Sequence, residues 1–245
     1  MRSIPETIKQ LLIINILFFV GSQFLGVISN DLLALHYFNN DKFFITQLFT
    51  HLFMHGSFYH ILFNMFGLWM FGSPLEQMWG RKKFLFFYFS SGVGAAGWQL
   101  LGYHWEIQSL FSTLEASGMS ALDFNKILTT ASYNPSILQF VDQESLYSAY
   151  KAYNSSMVGA SGAIYGVLVA FAYSFPNSEL MLLFPPIPIK AKFLVPGLIL
   201  MDLFFGFSSF SMGPIAHFAH VGGAIVGFIM VYYWKKNQFN NNRWN

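Results

Sequence analysis

The sequence predicts an all-α polytopic membrane protein with six transmembrane helices and a long outer loop between the third and fourth. Three observations carry this. First, 54% of the 245 residues are apolar and 20% are aromatic. Second, only 10% are charged, against roughly 25% in an average soluble protein. Third, the apolar residues fall in blocks of about 20, the length a helix needs to cross a bilayer core of about 30 Å. This composition excludes a disordered tail, a nucleic-acid-binding arm and most soluble domains. With no cysteine in the chain, disulfides, thiol catalysis and Cys-ligated metals are excluded too.

The six blocks are residues 10–29, 52–72, 84–101, 158–175, 193–207 and 215–234. The first runs past Val20-Gly21-Ser22-Gln23 into further apolar residues, so it reads as a span rather than a cleaved signal peptide. The fifth is short and contains Pro196 and Asp202. One membrane domain is expected over residues 1–245, with its core at about 10–234 and an outer insert at 102–157. Within that insert, residues 142–154 carry helix-forming residues suited to an amphipathic surface helix.

Orientation follows from Lys and Arg, which are retained on the inner side. With an inner N-terminus, ten of the 13 basic residues fall inside, among them Arg2, Lys9, Arg81, Lys82, Lys83, Lys190 and Lys192. Only Lys42, Lys126 and Lys151 stay outside. Both termini are therefore expected to be cytoplasmic.

Ionisable side chains within spans are costly, so each is a functional candidate. They are His55 and His60 in the second span, Asp202 in the fifth, and His217 and His220 in the sixth; polar Asn64 and Ser161 join them. His60, Ser161 and His220 lie at depths of roughly 12, 5 and 8 Å below the outer starts of their helices at 1.5 Å per residue. One layer in the outer half of the membrane accommodates all three. Faces agree as well. His60 and Asn64 are spaced i, i+4. Ser161 and Tyr165 are spaced alike, beside a GxxxG of Gly162 and Gly166. His220, Gly223 and Gly227 line one stripe. Small residues at this spacing let helix backbones approach closely in lipid, which would bring Ser161 toward His220.

A serine hydroxyl becomes a nucleophile when an adjacent His takes its proton. Acyl transfer then needs donors for the developing oxyanion. Ser161 opens its helix, so its N–H lacks an intrahelical partner and can serve. His60 and Asn64 supply two further side-chain groups. No carboxylate is expected at this depth unless Asp202 reaches in, so the pattern reads as a Ser–His dyad, with Tyr165 placed to orient the imidazole by packing. Competing signatures are unmet. HExxH is absent, GxSxG fails because position 163 is Ala, and an aspartyl mechanism needs a second membrane carboxylate. His51 and His55, at i, i+4, read as packing or loop-anchoring groups ahead of a metal role. His217 and Asp202 read as structural, and Glu76 as a tie between loop and helix near Arg81.

These residues resemble the rhomboid family of intramembrane serine proteases. The likeness lies in THLFMHGSFYHILFNMFGLWMFGSPLEQMWG in the second span, GASGAIYG in the fourth and AHVGGAIVG in the sixth. It implies a rhomboid-like bundle in which Ser161 is the nucleophile, His220 the general base, and His60 and Asn64 the oxyanion stabilisers. Tyr165 would stack on the base, with Gly162, Gly223 and Gly227 in support. The resemblance further implies an endopeptidase that cleaves transmembrane segments of other proteins. Its partners would be lipid and transmembrane substrates, without nucleic acid, cofactor or metal. The expected location is a bacterial inner membrane. One departure is that Thr46-Gln47 stand where some members carry Trp-Arg in the first outer loop, which questions how that loop is anchored. Two other classes are compatible with six apolar blocks. One is a non-catalytic relative that binds transmembrane helices, which typically lacks the nucleophile or base. The other is a small transporter, which should show internal repeats.

Overall fold

The computed structural model describes residues 3–181, 186–207 and 216–241. Each of the six apolar blocks holds one main helix. They are α1 (Glu6–Leu25), α4 (Phe58–Trp79), α5 (Arg81–Ala116), α8 (Ser161–Ser174), α9 (Ala191–Phe207) and α10 (His217–Asn241). Short helices α2 (Val27–Leu33) and α3 (Gln47–Thr50) occupy the segment between the first two blocks, while α6 (Ala121–Thr130) and α7 (Gln143–Asn154) build the insert. Among the described residues, three helices are long and apolar enough to cross a membrane: α1, α5 and α10. At 14 residues, α8 is about 21 Å long. The fold is that of a polytopic helical membrane protein; six crossings remain an expectation. The loop expected at 208–214, the start of the sixth block at Ile215, Arg2 and Arg243 lie outside the described residues.

Several boundaries differ from the periodicity. The second block begins as a 3-10 turn at His51–Phe53, and α4 starts only at Phe58, where the Ser57 side chain accepts from the His60 N–H at 3.2 Å. The third block does not end at Leu101. Its helix runs on to Ala116 because Ile107, Leu110 and Leu114 continue the buried stripe beyond the apolar run. The insert packs on this extension. Phe124, Ile127 and Leu128 of α6 and Leu146 and Ala149 of α7 close a second apolar core around Leu110 and Leu114. The amphipathic helix read at 142–154 is α7. Asp142 caps it, accepting from the Ser145 N–H at 2.6 Å, and that bond holds the Asp142 carboxyl below its usual pKa. One element was not anticipated: strands β1 (Glu179–Met181) and β2 (Pro188–Lys190) pair antiparallel between α8 and α9, with Leu180 opposite Ile189.

The main core gathers Leu68, Phe71 and Leu75 of α4, Phe84 and Phe87 of α5, and Val167 and Phe171 of α8. Large apolar side chains also face outward, including Ile13, Leu17 and Phe24 of α1 and Phe204 of α9. That is the expected distribution where lipid replaces water as the surrounding solvent.

Polar side chains fasten the ends of these helices. Glu76 is buried, and its two carboxylate oxygens accept from the Thr7 and Ile8 N–H groups, each at 2.9 Å. It therefore caps the start of α1, while Arg81 bonds Gln10 instead, at 3.0 Å. Gln47 answers the question raised by the missing Trp-Arg pair. Fully buried, it accepts from the His36 N–H and donates to the Asp31 and Lys42 carbonyls. A neutral amide thus ties down the segment before α4. Replacing Glu76 by Ala leaves two buried N–H groups without an acceptor. We expect a loss of about 2–6 kcal/mol at 1–3 kcal/mol per unsatisfied group, measured by thermal or denaturant unfolding in detergent micelles. An unchanged midpoint contradicts this role.

Candidate active site

Residues 159–161 set one side of the site. Gly159 has φ +121° and donates its N–H to the His51 carbonyl at 2.9 Å. Only glycine holds this conformation without strain, and here space is lacking as well. A Cβ on Gly159 would lie 2.7 Å from His60 Nε2. The chain then enters α8 at Ser161, whose helix has no side-chain cap, so its first-turn N–H groups have neither an intrahelical nor a capping partner.

The other side is α10, brought close by glycines. A Cβ on Gly227 would meet the Gly166 Cα at 2.5 Å, and one on Gly223 would collide with the Gly162 carbonyl. A Cβ on Gly162 would press on the Ala95 Cβ of α5 at 2.5 Å. Helices α5, α8 and α10 therefore meet nearly backbone to backbone.

This contact sets the central distance. His220 Nε2 lies 2.8 Å from Ser161 Oγ, within hydrogen-bond range. Tyr165 stacks flat on the His220 ring, centroids 4.2 Å apart and planes 7° apart. Ser161, His220, His60 and Asn64 all line one cavity of about 830 Å³. Asn64 is buried; its amide donates to the His60 carbonyl at 2.8 Å, and its Oδ1 has no partner. The insert shares this cavity: Ser148 and Lys151 of α7 line it with Glu106 of α5, which faces them both.

The Ser–His pair is not alone. Asp202 of α9 reaches in, with Oδ1 3.1 Å from His220 Nδ1 and 2.6 Å from His217 Nδ1. The expected dyad is therefore a chain of at least three groups. Asp202 stood out in the sequence as a carboxylate in an apolar run. Its direction did not, because spacing on α9 carries no information about the rotation of that helix against α10. His217 is likewise drawn into the cluster.

His51 and His55 do not converge on a ligand set. His51 Nδ1 bonds the Gln47 carbonyl at 2.6 Å, which matches a loop-anchoring part. His55 is buried edge-on to His60, with ring centroids 5.0 Å apart. Among the described residues, the one cluster with metal-ligand geometry is Asp202, His217 and His220, whose donor atoms lie within 4.8 Å of one another. Those atoms already satisfy each other by hydrogen bonding, so the arrangement needs no ion to account for it.

The Rhomboid domain model matches residues 43–121 and 136–237, most of the chain. The chain belongs to the rhomboid family. It is 28% identical over 184 residues to Rhomboid protein 1, mitochondrial, of Saccharomyces cerevisiae, covering 75% of this chain and 40% of that protein. To the Presenilin-associated rhomboid-like protein, mitochondrial, of Homo sapiens it is 27% identical over 195 residues, covering 76% and 38%. To Rhomboid protease AarA of Providencia stuartii it is 24% identical over 184 residues, covering 72% and 51%. The chain thus spans about two fifths to one half of the length of these relatives.

These names correct one expectation. A bacterial inner membrane with cytoplasmic termini is overturned by the yeast and human relatives, both named as mitochondrial. The basic-residue bias ranks the two faces of a bilayer; it holds no record of which bilayer that is.

Two glycines test the packing. Gly159→Ala should cost about 1–3 kcal/mol through backbone strain, and Gly223→Ala about as much through overpacking. Both are read as lowered unfolding midpoints in detergent. Midpoints equal to that of the native chain would contradict the close approach described.

Proposed function

We propose that this protein is an intramembrane serine endopeptidase acting on transmembrane segments of other membrane proteins. The reading takes residues 1–245 as one membrane domain with its insert, six crossings and a place in a mitochondrial membrane. The observation that carries it is the 2.8 Å contact between Ser161 Oγ and His220 Nε2 at the edge of a cavity. A lone serine in a glycine-rich helix would be a packing residue. One held against an imidazole, with unpaired first-turn N–H groups beside it, has the parts for acyl transfer.

Ser161 Oγ attacks the scissile carbonyl carbon as its proton passes to His220 Nε2. The carbonyl oxygen becomes an oxyanion, facing the Ser161 N–H and the side chains of His60 and Asn64. The carbon–nitrogen bond then breaks, and His220 returns the proton to the leaving amine. Water attacks the acyl-enzyme ester, again losing a proton to His220. Collapse releases the new carboxylate and restores the Ser161 hydroxyl. Tyr165 holds the imidazole plane throughout.

Water is a reactant, and the cavity supplies room for it. A helical substrate presents a shielded, hydrogen-bonded carbonyl, so residues that weaken the helix near the scissile bond favour attack. In this reading Ser148 and Lys151 of α7 border the path by which the segment enters.

The test is cleavage of a reporter transmembrane segment carrying a helix-weakening Gly-Pro step, in proteoliposomes. Ser161→Ala and His220→Ala should abolish cleavage. His60→Ala and Asn64→Ala should each lower kcat by roughly 10²–10³-fold, as for loss of one oxyanion donor. Cleavage that survives both Ser161→Ala and His220→Ala removes these residues from the mechanism.

A further inference from the structure

We propose that Asp202 is a positioning residue for His220, that it fixes the imidazole in the tautomer a general base requires, and that His217 holds Asp202 in place. This rests on the proteolytic reading above and adds a third member to its machinery.

The argument begins with hydrogen-bond inventory. A neutral imidazole carries one N–H and one lone pair, and an ionised carboxylate can only accept. Asp202 Oδ1 lies 3.1 Å from His220 Nδ1. Nδ1 must therefore carry the proton, and Nε2 must present its lone pair to Ser161 Oγ, 2.8 Å away. Without the carboxylate, nothing described at Nδ1 selects between the tautomers, and the alternative one cannot take the serine proton. An acidic group bonded to Nδ1 also stabilises the imidazolium formed when it does.

The same oxygen accepts a second bond, from His217 Nδ1 at 2.6 Å. His217 is buried one turn before His220 on α10, so the two rings meet Asp202 from adjacent turns of one helix. The shorter bond goes to the ring that does not touch Ser161. That ring anchors the carboxylate, leaving the longer bond to the ring that must exchange protons. Tyr165, stacked on His220, turns its hydroxyl toward Asp202 as well. Asp202 is buried, so this carboxylate is fixed by three neighbours on α8 and α10 rather than by water.

A purely structural reading of Asp202 predicts a different outcome from the positioning role. If Asp202 only ties α9 to α10, then removing either bond to it should matter alike. If it positions His220, the two bonds are unequal.

The experiment compares Asp202→Asn, Asp202→Ala and His217→Ala with the native chain in proteoliposomes. It measures kcat and KM for a reporter transmembrane segment, together with the unfolding midpoint. Asp202→Asn is nearly isosteric and keeps the packing. The expected result is a fall in kcat on the order of 10²–10⁴-fold for both Asp202 variants, with KM within about threefold, and a loss under about tenfold for His217→Ala. In native protein labelled with ¹⁵N-histidine, the His220 ring should show its proton on Nδ1; in Asp202→Ala this preference should be lost. Asp202 variants with kcat within threefold of native, or losses matched by His217→Ala and by lowered midpoints, would overturn the proposal. A native chain that fails to cleave, with Ser161 unreactive to a fluorophosphonate, would instead defeat the proteolytic reading and this inference with it.

Discussion

The structure depends on the close approach of α8 and α10. Gly162 and Gly166 face Gly223 and Gly227, and a Cβ on Gly223 or Gly227 would collide with the opposite backbone. In lipid there is no hydrophobic gain in pressing two apolar helices together, so contact area between bare backbones supplies the attraction. The geometry of the Ser–His pair follows from it. Ser161 opens α8 beside Gly162, and His220 lies one turn ahead of Gly223. Zipping the glycines brings the hydroxyl to the imidazole at 2.8 Å.

Other elements hold that contact in register. Helix α5 supplies small residues, Ser91 and Ala95, where α8 leans on it, and Trp98 where α10 does. Its extension to Ala116 carries the insert, so α7 borders the same cavity as the Ser–His pair. Opposite, the segment before α4 is stitched to the approach of α8. Gly159 bonds the His51 carbonyl, and Leu35 pairs with Met157 in both directions at 2.9 and 2.8 Å. Ser161 is thus fixed by its backbone on one side and by glycine packing on the other.

Much of this was legible in the sequence, for identifiable reasons. Ser161, Tyr165 and Gly166 lie on one helix, as do His60 with Asn64 and His220 with Gly223. Helical spacing fixes which residues share a face, and small residues mark where two faces meet. What sequence could not supply was the relation between helices lacking that mark. Asp202 sits on α9, and its bonds to His217 and His220 appear only in the fold. The ends of α4 and α5 were misplaced for a related reason. Hydropathy follows the apolar run, whereas α5 persists on buried positions spaced among polar ones. Gln47 illustrates the converse, since its buried amide ties down three backbone groups that no hydropathy pattern marks.

The central claim is that packing two glycine-faced helices makes one particular serine nucleophilic. The direct measurement is intact-protein mass spectrometry after treatment with a fluorophosphonate in micelles, followed by peptide mapping of the adduct. The account predicts one adduct per chain, located on Ser161, and none once the base is removed in His220→Ala. An adduct elsewhere in the chain, or labelling of Ser161 that is indifferent to His220, would contradict it.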